Sequence, residues 1–433
     1  MDVQACLAEP GRYERQIERL HQRHLLTSRL YELKQSDVSL ATIVMSRSRV
    51  ARLLAEAVER GEYSFEPGEL RTIRARNKMR EVFSCRLTDL IVHGVVANLV
   101  QEAVAADVSP RVFSYRKGLA SLTPITQFAR YLRTERRQHD DPRKRGVYVL
   151  RCDVDSYTDS IPIGRDSPLW AMLEARLGAP LHPLVEKAVR VELELPDAGV
   201  ACRIRGLPMG QPIASVVANL YLGEMDRALQ DVPGAFYARY GDDFLFAHPE
   251  PDVVQEAEAT ITGILASLRL TSNEKKRRRL YLTPPGRPSA EWPGATGAPY
   301  VPYLGTLISA EGTIALDGKK VRTLLREISE RAQATVKTMN GADPDTLGKA
   351  VCAVVNRSLD PESALAQQRS AILLRRVVTD RRQLEQLDYW VARVVVAALT
   401  RRSHDVRAFR QVPYRKLRGE WGLRSLVAAR NRQ

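Results

Sequence analysis

Residues 235–248 read AFYARYGDDFLFAH, and they decide the fold because two apolar runs flank the tetrapeptide Tyr240-Gly241-Asp242-Asp243. Apolar runs separated by a short Gly/Asp segment predict a β-hairpin with its turn at the Gly-Asp pair. Glycine adopts the backbone conformation of a tight turn without steric cost, so both carboxylates are expected at an exposed tip. An ordinary surface turn has the same local pattern, so the hairpin alone does not indicate a catalytic site. A further carboxylate elsewhere in the sequence is needed for that interpretation.

Such a carboxylate precedes the hairpin in GVYVLRCDVDSYTDSIP (146–162), where an apolar strand ends in Asp153. A carboxylate at a strand end near the core is costly unless it binds a cation. Two carboxylates from separate strands are what a two-metal site needs, since one ion activates a 3′-hydroxyl and the other stabilises a leaving pyrophosphate. Asp153 and Asp242 are therefore predicted to hold two Mg²⁺ ions, with Mn²⁺ as a possible substitute.

Between these carboxylates lies RGLPMGQPIASVVANLYLGEMDRAL (205–229), a Gly/Pro loop that opens into an amphipathic helix. Its small residues Gly206, Gly210 and Ala214 allow the backbone to approach a base pair closely. A simple helix-capping loop is the alternative. From 146 to 310, short apolar runs alternate with helical ones, which predicts strands on one face and helices on the other.

Composition agrees with a nucleic-acid partner, because the 433 residues carry a formal charge of +15. No apolar run approaches the roughly 20 residues of a membrane span, and the N-terminus lacks a signal-peptide core. The five cysteines have no CxxC or Cys/His spacing that would indicate a disulfide framework or a zinc site. A cytoplasmic protein is expected.

Taken together and in order, these segments resemble the palm motifs of reverse transcriptases. The resemblance covers the D-x3-aromatic strand end, the LPxG-x7-AN-x-YL loop and helix, and the YxDD hairpin. Downstream, LTSNEKK (270–276) is similar to the family's L-x-N-x-x-K and YLGTLIS (303–309) to its primer grip. Upstream, NKMREVFSCRLTD (77–89) resembles the fingers strand and FSYRKG (113–118) the segment after it. The match runs from about residue 70 to 310.

The resemblance implies an α+β right-hand polymerase, with fingers, a palm of antiparallel strands over helices, and a helical thumb. It implies an RNA-directed DNA polymerase that adds nucleotides to a 3′-hydroxyl. The implied partners are an RNA template, a DNA primer or product, and deoxynucleotides. The oligomeric state stays open.

Roles for individual residues follow from the same resemblance. The implied metal ligands are Asp153, the carbonyl of Val154, Asp242 and Asp243. The residues implied to contact the nucleotide are Lys78 and Arg80 at the triphosphate, and Pro208, Met209, Gly210 and Gln211 at the nucleotide and template. Asn219 would position its helix, Lys275 would be the general acid, and Tyr303, Leu304 and Gly305 would grip the primer. A solvated lysine in the basic run KKRRR is the alternative for Lys275.

One position departs from the family. An aromatic steric gate usually stands five residues after the first metal-binding Asp and excludes a ribose 2′-hydroxyl. Here that position is Thr158, and the aromatic Tyr157 stands one residue earlier. Either Tyr157 is the gate through a local shift, or discrimination against ribonucleotides is relaxed.

Two other classes of protein share part of this pattern. An RNA-dependent RNA polymerase shares YGDD, but it typically has an Asp at the position of Thr158. A catalytically silent nucleic-acid-binding module would gain nothing from three carboxylates facing phosphates. Among reverse transcriptases, a free-standing bacterial defence-associated or abortive-infection enzyme that copies a dedicated noncoding RNA fits best. A group II intron-like, retron or diversity-generating enzyme is the alternative.

The predicted domains are a helical extension (1–61), fingers (62–145), a palm (146–316) with a loop insertion at 284–299, and a basic helical thumb (317–433). In the last of these, an apolar stripe is expected to pack; its members are Leu384, Leu387, Val391, Val394 and Val395. Residues 401–433 hold ten basic and two acidic residues. We predict that this segment folds and binds RNA through Arg415, Lys416 and Arg418; a solvated tail is the alternative.

Overall fold

The computed structural model describes residues 2–27, 38–75, 78–115, 122–137, 146–195, 199–284, 286–287, 289, 291–292, 294–360, 369–401 and 408–430. Across these residues α-helices and strands are mixed along the chain. This content confirms the predicted α+β class.

The helices are α1 Val3–Leu7, α2 Pro10–Thr27, α3 Leu40–Met45, α4 Arg47–Glu59, α5 Leu87–Ala103, α6 Leu122–Arg137, α7 Tyr157–Ser160, α8 Pro168–Leu177, α9 Leu181–Val189, α10 Pro212–Tyr221, α11 Gly223–Leu229, α12 Pro251–Ser267, α13 Gly318–Thr338, α14 Pro344–Leu359, α15 Arg369–Arg376, α16 Arg381–Thr400, α17 Ala408–Gln411 and α18 Leu426–Arg430, with a π-helical turn at Lys416–Glu420. The strands are β1 Glu69–Ala75, β2 Lys78–Ser84, β3 Val147–Asp153, β4 Leu193–Leu195, β5 Gly199–Ala201, β6 Phe236–Tyr240, β7 Asp243–His248, β8 Arg278–Leu282, β9 Thr296–Ala298, β10 Tyr300–Tyr303, β11 Thr306–Ser309 and β12 Ile314–Leu316.

The chain divides into two units that interleave along the sequence. The first unit comprises Met1–Leu119, Leu150–Phe246 and Asp252–Arg278. The second comprises Ala120–Val149, Ala247–Pro251 and Arg279–Gln433. The domain boundaries predicted at residues 61, 145 and 316 stay predictions, because a division by contacts does not assign the functions of fingers, palm or thumb.

Helix α5 is the centre of the first unit. Its sequence, LTDLIVHGVVANLVQEA, is apolar on almost every side, and such a helix is stable only when it is buried all round. It packs against α2, α9 and α10. Gly94 permits the contact with α2, because a Cβ at that position would lie 2.0 Å from the Gln16 side chain.

The main sheet has five strands in the order β6, β7, β3, β8, β9. Strands β3, β6 and β7 are continuous apolar runs and are buried along most of their length, as expected for interior strands. Gly241 and Asp242 alone connect β6 to β7, so the predicted hairpin is confirmed. Because β7 is the neighbour of β3, the sheet places the start of β7 beside the end of β3.

One strand pair departs from the predicted antiparallel sheet. Strands β8 and β9 run parallel, with Leu280 opposite Thr296. Parallel neighbours need a long crossover, and residues 283–295 provide it. The predicted loop at 284–299 therefore contributes a short strand of its own.

The second unit combines the three-stranded sheet β10-β11-β12 with a helical bundle. Helix α13 buries one amphipathic face against α14, α15 and α16. The stripe predicted on α16 is confirmed in four positions, since Leu384, Leu387, Val391 and Val395 are buried. Val394, the fifth, is only half-buried.

The C-terminal segment 408–430 is folded onto this bundle. Trp421 is 7% exposed and lies directly over Gly348 of α14, where a Cβ would come within 2.4 Å of the indole ring. Only a glycine therefore permits this stacking. The expectation that the segment folds is confirmed, and the alternative of a solvated tail is wrong for the described residues.

Candidate active site

Three carboxylates come together where β3 ends and β7 begins, all within the first unit. Asp153 is the last residue of β3, Asp242 lies in the turn, and Asp243 is the first residue of β7. The backbone N–H of Val154 donates to the carbonyl of Asp242 at 3.3 Å, which ties the two strand ends together. The adjacency of Asp153 and Asp242 predicted from sequence is therefore what the sheet produces.

Burial raises the pKa of Asp242 above its ordinary value, and the charges of Asp153 and then Asp243 contribute in the same direction. A backbone hydrogen bond and the ammonium of Lys276 act against this rise. A buried carboxyl beside two others favours the binding of a cation over ionisation alone. The three carboxylates therefore favour a bound cation at this site.

The oxygen donors fit a hard divalent ion. Carboxylate and carbonyl oxygens are the ligands that Mg²⁺ prefers, and no described residue donates a hydrogen bond to the carbonyl of Val154. Within the described parts of the chain, no three acidic, histidine or cysteine side chains are already arranged as a metal cage. Asp153 and Asp243 are each ion-paired with a basic neighbour.

These two basic neighbours are Lys276 and Arg151, and the sequence interpretation missed both. Lys276 Nζ lies 2.5 Å from Asp153 Oδ1. Arg151 binds Asp243 in a bidentate pair, with Nε 2.9 Å from Oδ1 and Nη2 2.6 Å from Oδ2. Arg151 could have been found from its place in β3, two residues before Asp153 and so on the same face of the strand.

Lys276, the neighbour of Lys275, is the lysine that contacts the carboxylate cluster, and the general-acid role predicted for Lys275 stays a prediction. Lys275 is exposed, and its backbone carbonyl accepts a hydrogen bond from Arg278 at 2.9 Å. The turn 274–276 directs the following side chain, Lys276, toward Asp153, while Asn273 N–H donates to the carbonyl of Asp153 at 2.7 Å. Counting N-x-x-K from Asn273 also leads to Lys276, so the signal was present in the sequence.

A buried polar network holds the catalytic turn from below. Arg239 of β6 is completely buried and pairs with Asp226 of α11 at 2.6 Å. The same guanidinium donates to the carbonyl of Gly241 at 3.0 Å and to the side-chain oxygen of Asn219 at 3.2 Å. Ser114 Oγ accepts from the N–H of Gly241 at 2.8 Å and donates to Asn219 at 3.1 Å. Two hydrogen bonds, one to its N–H and one to its carbonyl, therefore hold Gly241. Asn219 contacts both residues that make these bonds, Arg239 and Ser114.

The Gly/Pro loop is bound to strand β2. The N–H of Phe83 donates to the carbonyl of Met209 at 2.7 Å. Gln211 is 2% exposed, and its side chain donates to the Phe83 carbonyl and accepts from the Cys85 thiol. Gln211 therefore braces the loop through both ends of its amide, and the contact with a nucleotide predicted for it stays a prediction. Met209 and Gly210 are half-exposed, and their contact with a nucleotide stays a prediction.

Tyr157, one of the two candidate residues for sugar discrimination, packs into the first unit. Its side chain is buried and its hydroxyl donates to the carbonyl of Ala218 in α10. Thr158 keeps a half-exposed side chain, and its carbonyl accepts from Leu207 at 2.9 Å. Both alternatives left open by the sequence, a shifted gate at Tyr157 and relaxed discrimination at Thr158, stay predictions.

Of the implied triphosphate contacts, Arg80 of β2 is exposed and lies opposite Ile73 of β1. The charges of Asp242 and Arg80 both affect the pKa of Tyr115, so Arg80 lies in the same region of the first unit as Asp242. The side chain of Lys78, and the residues 116–118 of FSYRKG, lie outside what the structure describes.

The residues implied in the primer grip form the turn between β10 and β11 in the second unit. Tyr303 is buried, while Leu304 and Gly305 have φ values of +47° and +89°. Positive φ is strained for a leucine, which marks this turn as tightly constrained.

The C-terminal basic residues are largely engaged within the protein. Lys416 pairs with Asp345 at 2.7 Å, and Arg418 pairs with Asp388 at 3.1 Å. Arg418 also donates to the hydroxyl of Tyr414. Arg415 is exposed and forms no ion pair with a described residue. RNA binding by these three residues stays a prediction, with Arg415 the most available of them.

The carboxylates at adjoining strand ends have the arrangement that a two-metal site needs. The profile of the reverse transcriptase (RNA-dependent DNA polymerase) family matches residues 76–308, more than half of the chain. The chain belongs to the reverse transcriptase family, whose members are RNA-directed DNA polymerases. A comparison with curated proteins found no match.

Solved telomerase structures show a distant similarity. Apo telomerase from Candida tropicalis has 10% identity and a TM-score of 0.46, with 84% of this chain and 64% of that one covered. A C-terminally truncated form has 10% identity and a TM-score of 0.44, with 58% and 55% covered. Telomerase from Candida albicans in complex with a TWJ fragment of telomeric RNA has 12% identity and a TM-score of 0.45, with 90% and 70% covered. The chain thus spans less than two thirds of the two Candida tropicalis chains.

No helix of the described chain combines the length and the apolar character needed to cross a membrane.

Proposed function

We propose that this chain copies RNA into DNA by adding deoxynucleotides to a primer 3′-hydroxyl at the site of Asp153, Asp242 and Asp243. The observation that carries the proposal is the meeting of these carboxylates at adjoining strand ends, with the pKa of Asp242 raised by burial and by its acidic neighbours. Two bound divalent ions would supply the activation of the hydroxyl and the neutralisation of pyrophosphate.

The residues of the chain contribute placement and charge. Asp153, Asp242 and the Val154 carbonyl would hold the ions, and Asp243 would assist. Arg151 keeps Asp243 on the face of the sheet through its bidentate pair. Because the network below the turn is buried, the backbone that carries Asp242 is held in place, and such preorganisation contributes to catalytic rate.

Lys276 is the candidate proton donor to the leaving pyrophosphate. Its ammonium already lies at the carboxylate cluster, on Asp153, and a lysine placed there can release a proton as the leaving group departs. When ions occupy the carboxylates, Lys276 becomes free to turn toward the pyrophosphate.

A primer-extension assay with an RNA template, a DNA primer and dNTPs tests the proposal. We expect Asp242→Asn to lose activity by several orders of magnitude, because it removes the charge that binds metal. The matched control is Asp252→Asn, which changes an exposed aspartate at the start of α12. Circular dichroism should show both variants folded.

Extension by Asp242→Asn at a rate close to the wild type would overturn the metal assignment. A wild-type protein that extends the primer with rNTPs but not with dNTPs would identify an RNA-dependent RNA polymerase instead.

The finer proposal is a bacterial defence enzyme that works in the cytoplasm and copies a dedicated structured noncoding RNA. It is supported by the motif resemblance and by the formal charge of +15. Changing Arg415, Lys416 and Arg418 together to Gln tests the RNA contact. Each phosphate contact removed lowers the slope of log affinity against log salt by about 0.7 to 0.9. An unchanged slope would exclude RNA binding at this surface.

A further inference from the structure

A cavity of about 250 Å³ lies between α5 and α10 in the first unit, and the reaction proposed above does not use it. Its floor is apolar and consists of Val104, Val216 and Leu220, all buried. Its walls carry the amides of Asn98 and Gln101, and further lining residues are Glu102, Ala105, Val108, Tyr115 and Asn219. An apolar floor with hydrogen-bonding groups on the walls is typical of a small-molecule site.

One wall residue, Gln101, retains hydrogen-bonding capacity, whereas Asn98 donates to the Gly94 carbonyl and accepts from Arg19. Gln101 uses only its amide nitrogen, in a long contact of 3.4 Å with the Tyr115 carbonyl, and no described residue donates to its oxygen. Tyr115 is 49% exposed beside it, so an aromatic face and a phenol are available at the cavity mouth. Such groups match the flat faces and polar edges of a heterocyclic base.

A cluster of arginines on α2 adjoins this cavity through two shared residues. Arg12, Arg15 and Arg19 line a smaller depression together with Asn98 and Glu102, which also line the cavity. Arg12 is committed to Glu102 at 2.9 Å. Arg19 donates to Asn98 at 3.3 Å, and no carboxylate of a described residue pairs with it. Arg15 is exposed and shares Glu9 with Arg12.

We infer that this cavity binds a nucleoside 5′-phosphate, with the base between α5 and α10 and the phosphate at Arg15 and Arg19. Guanidinium groups are the side chains best suited to phosphate oxygens, and Arg19 lacks a competing carboxylate. The ligand chemistry is the same whether the nucleotide is free or belongs to a single-stranded RNA. Asn219 lines the cavity and also holds the catalytic turn, so the bound nucleotide lies next to the catalytic site without using its carboxylates.

Calorimetric titration in EDTA tests the inference, because without divalent ions the catalytic carboxylates do not hold a nucleotide. The probes are AMP, adenosine and a six-residue oligoadenylate RNA. Ala105→Trp closes the mouth from an exposed position, and Arg19→Gln removes the proposed phosphate contact. The matched control is Arg47→Gln, an exposed arginine of α4 that pairs with Glu18 and lines neither cavity.

We expect AMP or the RNA to bind and adenosine to bind at least tenfold more weakly, since it lacks the phosphate. Ala105→Trp and Arg19→Gln should each weaken binding by about tenfold or more, and Arg47→Gln should not. Binding of AMP identifies a free nucleotide as a sufficient ligand, and binding of the RNA alone identifies an RNA nucleotide. The inference is overturned if neither probe binds at millimolar concentration. It is also overturned if Ala105→Trp binds like the wild type, or if Arg47→Gln weakens binding as much as Arg19→Gln.

Discussion

Replacement of Ser114 by Ala should impair catalysis more than it impairs folding. The Ser114 hydroxyl is buried, accepts from the N–H of Gly241 at 2.8 Å and donates to Asn219 at 3.1 Å. Removing it leaves the Gly241 N–H without its partner, which costs about 1 to 3 kcal/mol of unfolding free energy. The same loss releases one of the two hydrogen bonds that fix Gly241, directly before Asp242.

The catalytic effect follows from the position of Asp242. A displacement of about 1 Å at a catalytic group can cost on the order of 10²-fold in rate. We therefore expect kcat to fall by about one to two orders of magnitude, with little change in KM for the nucleotide. Single-turnover primer extension measures the rate, and thermal unfolding measures the stability.

Ser109→Ala is the matched control, because Ser109 is also buried in the preceding loop and its hydroxyl accepts from the N–H of Arg111, whereas that of Ser114 accepts from Gly241. Ser114→Thr, which retains a hydroxyl, should recover most of the rate. If Ser114→Ala and Ser109→Ala lose stability equally and polymerise equally fast, the hydroxyl does not position the turn and the reasoning fails.

Three further results are expected. Lys276→Ala should lower the rate of nucleotide addition by about a hundredfold, while Lys275→Ala should leave it near the wild-type value; equal losses would restore Lys275 as a candidate. Competition between dNTPs and rNTPs should show a preference for dNTPs that Thr158→Phe sharpens, and a variant with unchanged selectivity would remove Thr158 from sugar discrimination. Burial lowers the pKa of His93 to about 3, and none of its described neighbours bonds either ring nitrogen, so the native state excludes the proton that the unfolded chain takes up below about pH 6.5. The free energy of unfolding therefore falls as the pH drops below that value. Between pH 7.5 and 5.5 this decrease should be about 1.4 kcal/mol smaller in His93→Leu than in the wild type. Identical pH profiles of the two proteins in chemical denaturation would contradict this.

Local pattern was sufficient to find the carboxylate site. The alternation around Tyr240–Asp243 defines a hairpin, and the apolar run before Asp153 defines a buried strand, because both depend only on hydrophobic spacing and turn chemistry over a few residues. The order of the motifs then identified the family that the profile match established. The helical, basic C-terminal region was likewise evident from composition and periodicity.

Only the tertiary structure decided which side chains face the site and which are hydrogen-bonded to other parts of the protein and so support it. Lys275 and Lys276 are neighbours in sequence, but the turn directs Lys276 to Asp153. Gln211 is taken up by contacts with Phe83 and Cys85, more than a hundred positions away. The pairing of Arg239 with Asp226 depends on how β6 packs on α11. In each case the outcome depends on side-chain direction and on partners distant in sequence, and hydrophobic spacing along one segment carries no information about either.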